Sequence, residues 1–326
     1  MSLVQRFSKL SNPMIYIVIL LALIGIVLGA DWLVSGSASI AKRFRVSEFV
    51  IGAVIVGIGT SMPELTVSTI GAISGNSDVA IGNVVGSNIF NILGILGITA
   101  LVCPIPIDRK NMRFEIPLCI IVSILLLLIA MNFFTGSRPV IGRIDGLLLL
   151  AFFVLFVWYS LHRDRNEAEQ ESSDYVVIIP LTVPIIKVVV GLVLLIYSCD
   201  LFVNKSVLLA REFGLSDSFI SITLIACGTS LPELAASVTA AFKKNTQLAL
   251  GNIIGSNIFN ITFILGVAAQ ISPLTSTGIT SVDYLAAIAA AIIIYVLGFV
   301  KKISRVAGVM MIVLFVGYTF YLLRVL

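Results

Sequence analysis

The sequence predicts an all-α membrane protein whose ten transmembrane helices form two inverted-topology five-helix repeats. Three observations carry that prediction. Apolar residues make up 59% of the 326 and charged residues only 12%, with a mean hydropathy of +1.11, so most of the chain must face lipid or other apolar helices. The apolar runs are near-continuous and about twenty residues long rather than alternating, which selects helices over a β-barrel, because each backbone group in hydrocarbon needs a partner. The chain also repeats itself. Gly59-Thr60-Ser61-Met62-Pro63-Glu64-Leu65 returns as Gly228-Thr229-Ser230-Leu231-Pro232-Glu233-Leu234, and Gly82-Asn83-Val84-Val85-Gly86-Ser87-Asn88-Ile89-Phe90-Asn91 as Gly251-Asn252-Ile253-Ile254-Gly255-Ser256-Asn257-Ile258-Phe259-Asn260. One offset relates both pairs and also matches Asp31 to Asp200, Phe44 to Phe213 and Pro104 to Pro273, and such gap-free register marks duplication.

The spans follow in order, with ends good to about two to four residues. The first covers roughly 14–36; Arg6 and Lys9 ahead of it imitate a signal peptide, but its copy at roughly 178–206 lies mid-chain, so it is read as a retained span. Spans near 48–73 and 79–102 carry the first pair of motifs, and 114–133 and 140–161 complete that half. The second half repeats the series at about 178–206, 217–242, 248–271, 282–300 and 306–324. An odd number of spans per copy sends the second copy into the membrane in the opposite sense, a transporter signature. The halves are residues 1–161 and 178–326. Between them, 162–177 holds Arg163, Asp164, Arg165, Glu167, Glu169 and Glu171 without apolar period and reads as a cytoplasmic linker.

Lys and Arg set the orientation. Lys42, Arg43, Arg45, Arg109, Lys110, Arg113, Arg163, Arg165, Lys187, Lys243, Lys244, Lys301, Lys302 and Arg305 fall on one side, fourteen of the chain's twenty-one. That side is expected to be cytoplasmic, which makes the chain a multi-pass plasma (inner) membrane protein with both termini outside. The net charge of +4 is thus topological, and no nucleic-acid patch is read from it. Cys103, Cys119, Cys199 and Cys227 lack paired spacing and only one histidine is present, so no Cys/His metal cluster is expected; the four thiols read as small packing residues. Gly57-Ile58-Gly59 is no nucleotide fingerprint, because Met62 takes the third glycine's place. Asp31 and Asp200, near span ends, read as anchoring residues, and Gly82/Gly86 and Gly251/Gly255 as close helix packing.

The chemistry starts from cost. A carboxylate near the bilayer centre costs at least ~2.5–3.5 kcal/mol, and two at equivalent places repel each other, so Glu64 and Glu233 call for a cation or for protons. Each follows a proline, which lacks an N–H and strains the preceding turn, so carbonyls of 57–60 and 226–229 are expected to lose helical partners and become hard oxygen ligands. Thr60, Glu64 and Ser68 share one helix face at i, i+4, i+8, as do Asn83, Ser87 and Asn91, and the second copy repeats both stripes as Thr229, Glu233, Ser237 and Asn252, Ser256, Asn260. Ser68 and Ser237 can equally bond back to their own helix. Two carboxylates among hydroxyls, amides and carbonyls suit Ca²⁺, and Na⁺ by the same ligand chemistry; soft metals are disfavoured.

At these residues the chain resembles the cation/calcium exchanger superfamily, whose halves each carry a G-T-S-x-P-E and a G-N-x-x-G-S-N motif, and within it the prokaryotic Na⁺/Ca²⁺ antiporters. The resemblance covers almost the full length. It implies that Glu64 and Glu233 bind Ca²⁺ with the backbone oxygens of Thr60 and Thr229. It implies Na⁺ at flanking positions built from Gly57, Ala226, Ser61, Ser230, Ser87 and Ser256. It implies no enzyme and no cofactor, only transported ions and surrounding lipid. Where several members carry an aspartate, both copies here have asparagine, Asn91 and Asn260, which predicts exchange independent of K⁺. Proton/Ca²⁺ exchange on the same glutamates is the alternative, since a desolvated carboxylate takes a proton readily. An intramembrane aspartyl protease would also need two buried acids, but here they are glutamates within duplicated ligand stripes. A purely structural scaffold would explain neither.

Overall fold

The computed structural model describes residues 13–131, 140–168, 180–213, 227–275 and 278–325, and in them the chain is helical apart from two very short strand pairs. The helices are α1 (Pro13–Phe44), α2 (Glu48–Thr60), α3 (Met62–Ile73), α4 (Ser77–Val102), α5 (Arg109–Ala130), α6 (Arg143–Ala168), α7 (Thr182–Glu212), α8 (Leu231–Phe242), α9 (Thr246–Ile271), α10 (Ser281–Phe299) and α11 (Arg305–Val325). Among the described residues eight are long and apolar enough to cross a membrane, and α2 with α3 makes a ninth, bent by 47°. The helix α8 is shorter; residues 217–226 of the span expected there lie outside the described ones. Into the expected linker α6 runs on to Ala168, through residues of ordinary helix propensity; 169–179 are not described.

Local chemistry sets the helix ends. Ser47 caps α2 by accepting from the Val50 N–H at 3.3 Å, and Asn76 caps α4 by accepting from Val79 at 3.4 Å. Thr280 and Asp283 form a reciprocal capping box on α10. The two copies close alike: α3 ends at Gly75, φ +72°, and α8 at Lys244, φ +63°, with the next N–H bonding back to Gly71 and Ala240, each at 2.8 Å. The duplication therefore extends to a left-handed cap that the sequence conceals, glycine in one copy and lysine in the other.

The central helices are α4 and α9, and α9 is buried continuously from Leu248 to Phe259. It crosses α2 almost backbone to backbone: a Cβ on Gly251 would overlap the Phe49 backbone, one on Gly255 the Ala53 backbone, and one on Gly57 would lie 3.0 Å from the Asn252 carbonyl oxygen. Close packing is thus the use of the Gly251/Gly255 pair. In the first pair, a Cβ on Gly82 would meet Ile279 at 3.1 Å, while Gly86 has no atom within 4 Å among the described residues. A separate glycine seam joins α1 to α7, where Gly29 and Gly191 each face the other helix's backbone, and this pair has its own apolar core with Val56, Ala236, Ala240 and Leu248.

The connections meet in two groups. Strand β1 (Ile105–Pro106) pairs with β4 (Lys302–Ile303), and Gln247 bridges the Asn111 amide and the Pro106 carbonyl. Strand β2 (Val140–Ile141) pairs with β3 (Leu274–Thr275), while Gln270 reaches the Arg143 carbonyl and Asp78 accepts from the Gly278 N–H.

The α2–α9 crossing makes a test. Gly255→Ala should lower the thermal midpoint of purified protein, at the overpacking cost of about 1–3 kcal/mol. Gly317→Ala, on α11 with no atom within 4 Å, should leave it unchanged. Equal midpoints would mean that α2 and α9 do not meet as described.

Candidate functional site

Pro63 opens a helix as well as breaking one, and Pro232 opens a helix in the same way. Pro63 and Pro232 stand in the first turn of α3 and α8, where a missing N–H costs nothing, and Glu64 and Glu233 follow in that same turn, at the positive end of the helix dipole. The expectation of freed carbonyls does not hold at Gly57: its oxygen keeps the Ser61 N–H at 3.1 Å, because the absent donor is that of Pro63, whose helical acceptor would be Gly59. The Gly57 carbonyl also receives Ser256 Oγ at 3.2 Å. One-residue-wider π-turns follow, at Gly52–Val56 ahead of the first break, Phe90–Leu96 in α4 and Asn260–Ile264 in α9.

The carboxylates are fully buried and each is held by the other copy's serine. Ser230 Oγ donates to Glu64 Oε1 at 2.7 Å, and Ser61 Oγ to Glu233 Oε1 at 2.8 Å. Ser87 Oγ adds a long contact to Glu64 Oε1 at 3.5 Å. Thr60 Oγ1 lies within 3.0 Å of the Val56 carbonyl and 3.2 Å of Asn252 Oδ1, so its one proton serves an acceptor on either side. Among the described residues five buried oxygens of these segments have no hydrogen-bond partner: Glu64 Oε2, Glu233 Oε2, Thr229 Oγ1, Asn91 Oδ1 and Asn260 Oδ1. Unpaired buried acceptors cost about 1–3 kcal/mol each and more when charged, a cost that a bound cation or proton would offset. Among the described residues there is no cluster of three or more His, Cys, Asp or Glu.

Of the expected site residues, hydrogen bonds join Glu64 to Ser230 and Ser87, Glu233 to Ser61, and Gly57 to Ser256, while Thr60, Thr229, Asn91 and Asn260 lie on the same helices and the turns between them. Ala226 lies outside the described residues. The outer ends of the stripes are spent on bracing. Asn83 Nδ2 donates to the Glu64 carbonyl at 3.1 Å and to Ser68 Oγ at 3.0 Å; Asn252 Nδ2 does the same with the Glu233 carbonyl and Ser237 Oγ, at 3.3 and 2.8 Å. Ser68 and Ser237 thus bond to the neighbouring helix, not back to their own. Asn88 and Asn257 form cross-copy bonds that periodicity passed over, since they stand three positions from Asn91 and Asn260, off the i, i+4 stripe. Asp31 has an anchoring role: it pairs with Lys243 at 2.6 Å, tying α1 to the end of α8, a half-exposed bond worth about 0–1 kcal/mol. Asp200 accepts from Asn204, one turn on.

The family model described as sodium/calcium exchanger protein matches residues 14–162 and 183–324, nearly the whole chain. The chain belongs to the sodium/calcium exchanger family. It is therefore an integral membrane antiporter and not an enzyme. CaxA of Alkalimonas amylolytica is 39% identical over 94% of this chain and 98% of its own. The sodium/calcium exchanger MaX1 of Methanosarcina acetivorans is 30% identical, over 93% of this chain and 97% of its own. In structure the chain is similar to the sodium-calcium exchanger NCX_Mj soaked with zero Na⁺ and Ca²⁺, with a TM-score of 0.83 and 30% identity over 96% of this chain and all of that one.

The braces can be checked directly. Asn252→Ala removes the amide that braces the Glu233 carbonyl and Ser237 hydroxyl inside the protein and should lower stability by about 1–3 kcal/mol in thermal unfolding. Asn204→Ala, whose amide is exposed, should change it little. A midpoint that falls equally in both variants would contradict the bracing role.

Proposed function

We propose that this antiporter exchanges Na⁺ for Ca²⁺ by alternating access, at a midplane site formed by Glu64 and Glu233. The observation that carries the reading is the pair of buried carboxylates whose second oxygens, like nearby amide and hydroxyl oxygens, have no partner among the described residues. Two carboxylates neutralise one Ca²⁺, and six to eight flexible oxygens are its usual shell. The backbone oxygens of Thr60 and Thr229 complete that shell. Na⁺ takes the flanking positions of Gly57, Ala226, Ser61, Ser230, Ser87 and Ser256, with Asn91 and Asn260 lining the cage. The name of MaX1 and the NCX_Mj structures soaked with Na⁺ together with Ca²⁺ or Sr²⁺ support these ions.

The ten spans form two inverted halves, 1–161 and 178–326, joined by 162–177 at the cytoplasm, with both termini outside. The described connections support this topology. Their bonds join helix ends and connections that ten alternating spans put on one side: Ile105–Pro106 with Lys302–Ile303 and Gln247 on one, and Asp78 with Gly278, and Val140–Ile141 and Arg143 with Leu274–Thr275 and Gln270 on the other.

Purified protein in liposomes should take up radiolabelled Ca²⁺ when loaded with Na⁺, equally with and without K⁺, and after the pH gradient is collapsed. Uptake that follows a pH gradient without Na⁺ would establish proton exchange instead, and a K⁺ requirement would contradict a site with only two carboxylates.

Glu64→Gln and Glu233→Gln should each reduce that uptake to background while the protein stays folded, since one carboxylate leaves Ca²⁺ with uncompensated charge where the dielectric is low. Near-normal flux in either would remove the site from the mechanism.

A further inference from the structure

Four buried amides join the two copies where α4 meets α9. Asn88 Nδ2 donates to the Asn257 main-chain carbonyl at 3.1 Å, and Asn257 Nδ2 to the Asn88 carbonyl at 3.2 Å. Asn88 Oδ1 in turn accepts from Asn260 Nδ2 at 3.0 Å, and Asn257 Oδ1 from Asn91 Nδ2 at 3.0 Å. All four residues are at most 3% exposed, so water does not compete for these bonds.

We infer that Asn88 and Asn257 are positioning residues, which fix the carboxamides of Asn260 and Asn91 with their oxygens, not their NH₂ groups, free for a cation. A carboxamide is nearly symmetric in shape, and only its partners decide which end points where. Here the decision starts at the backbone. A main-chain carbonyl can only accept, so the end of Asn88 that meets the Asn257 carbonyl must be its NH₂. That leaves Asn88 Oδ1 as an acceptor, which must be met by the NH₂ of Asn260, and Asn260 Oδ1 is left over. The mirror chain runs from the Asn88 carbonyl through Asn257 to Asn91. The two leftover oxygens are buried without a partner among the described residues. Each sits one helical turn from a serine that touches the proposed site, Ser87 at Glu64 and Ser256 at Gly57. A reversed amide would present a donor to a cation and repel it.

This inference rests on the proposed ion site, so the test separates the two. Na⁺-driven Ca²⁺ uptake is measured in liposomes against both Na⁺ and Ca²⁺ for Asn88→Leu, Asn260→Ala and the double variant, with Glu64→Gln as the control for the site itself. Asn88→Leu should raise the half-saturating concentration of Na⁺ or Ca²⁺ about tenfold, the scale of one lost contact to a charged group. Asn260→Ala should do the same, and the double variant no more than Asn260→Ala alone, because Asn88 acts through Asn260. Additive losses, or unchanged half-saturation in Asn88→Leu while Glu64→Gln is inactive, would overturn the positioning role and leave the ion site standing. Transport by Glu64→Gln would instead overturn the site. If Asn88→Leu does not elute as a single folded species, the mirror set of Asn257→Leu and Asn91→Ala carries the same outcomes.

Discussion

The crossed bonds from Ser61 to Glu233 and from Ser230 to Glu64 are the interaction on which the rest of the structure turns. Each acid is held by a hydroxyl from the other copy, so neither half can complete its own site. A hydroxyl satisfies one oxygen of each carboxylate and leaves the second open. Two full charges would be untenable there with nothing else bound, and two fully satisfied carboxylates would have no affinity to spend on an ion. A half-satisfied pair suits the proposed ion site, which must bind and also release.

That arrangement dictates the surrounding backbone. The acids must stand at a helix start to reach the middle of the molecule, and proline in the first turn provides the start without wasting a donor. The main-chain carbonyl of each glutamate is then secured by an asparagine from the next helix, which also takes a serine one turn further along. Polar residues that look like one continuous ligand face are therefore divided: Ser87 meets a carboxylate and Ser256 the Gly57 carbonyl, while Asn83, Ser68, Asn252 and Ser237 hold the helices that carry the acids.

Packing separates the molecule into unequal parts. The helices α2 and α9 cross on glycines with their backbones nearly touching, which brings Ser256 to the Gly57 carbonyl. The helices α1 and α7 instead pack mainly on each other along a glycine seam, with a core distinct from that of the bundle. Lys243 pairs with Asp31 across that boundary, while the matching position in the first copy is Ser74 and Asp200 bonds within its own helix. The two copies thus share their centre and differ at their edges.

Sequence alone determined the membrane class, the helical architecture, the duplication and the two glutamates, because each rests on composition or on pattern along the chain. Ionisable residues are too costly in hydrocarbon to be incidental, so Glu64 and Glu233 were legible without a fold. Helical spacing also singled out Ser87, Ser256, Asn91 and Asn260, which share faces one turn apart. It did not show that Asn83 meets Ser68 and Asn252 meets Ser237 on the neighbouring helix, since periodicity reports a face and not which neighbour that face meets. It passed over Asn88 and Asn257, whose bonds run to a residue in the other copy. Only the tertiary structure decided which serine holds which glutamate, that Gly57 keeps its helical partner, and which end of each buried amide is free. Those facts depend on distances between segments far apart in the chain, and a hydrogen bond is set by the approach of two atoms, which no one-dimensional pattern records.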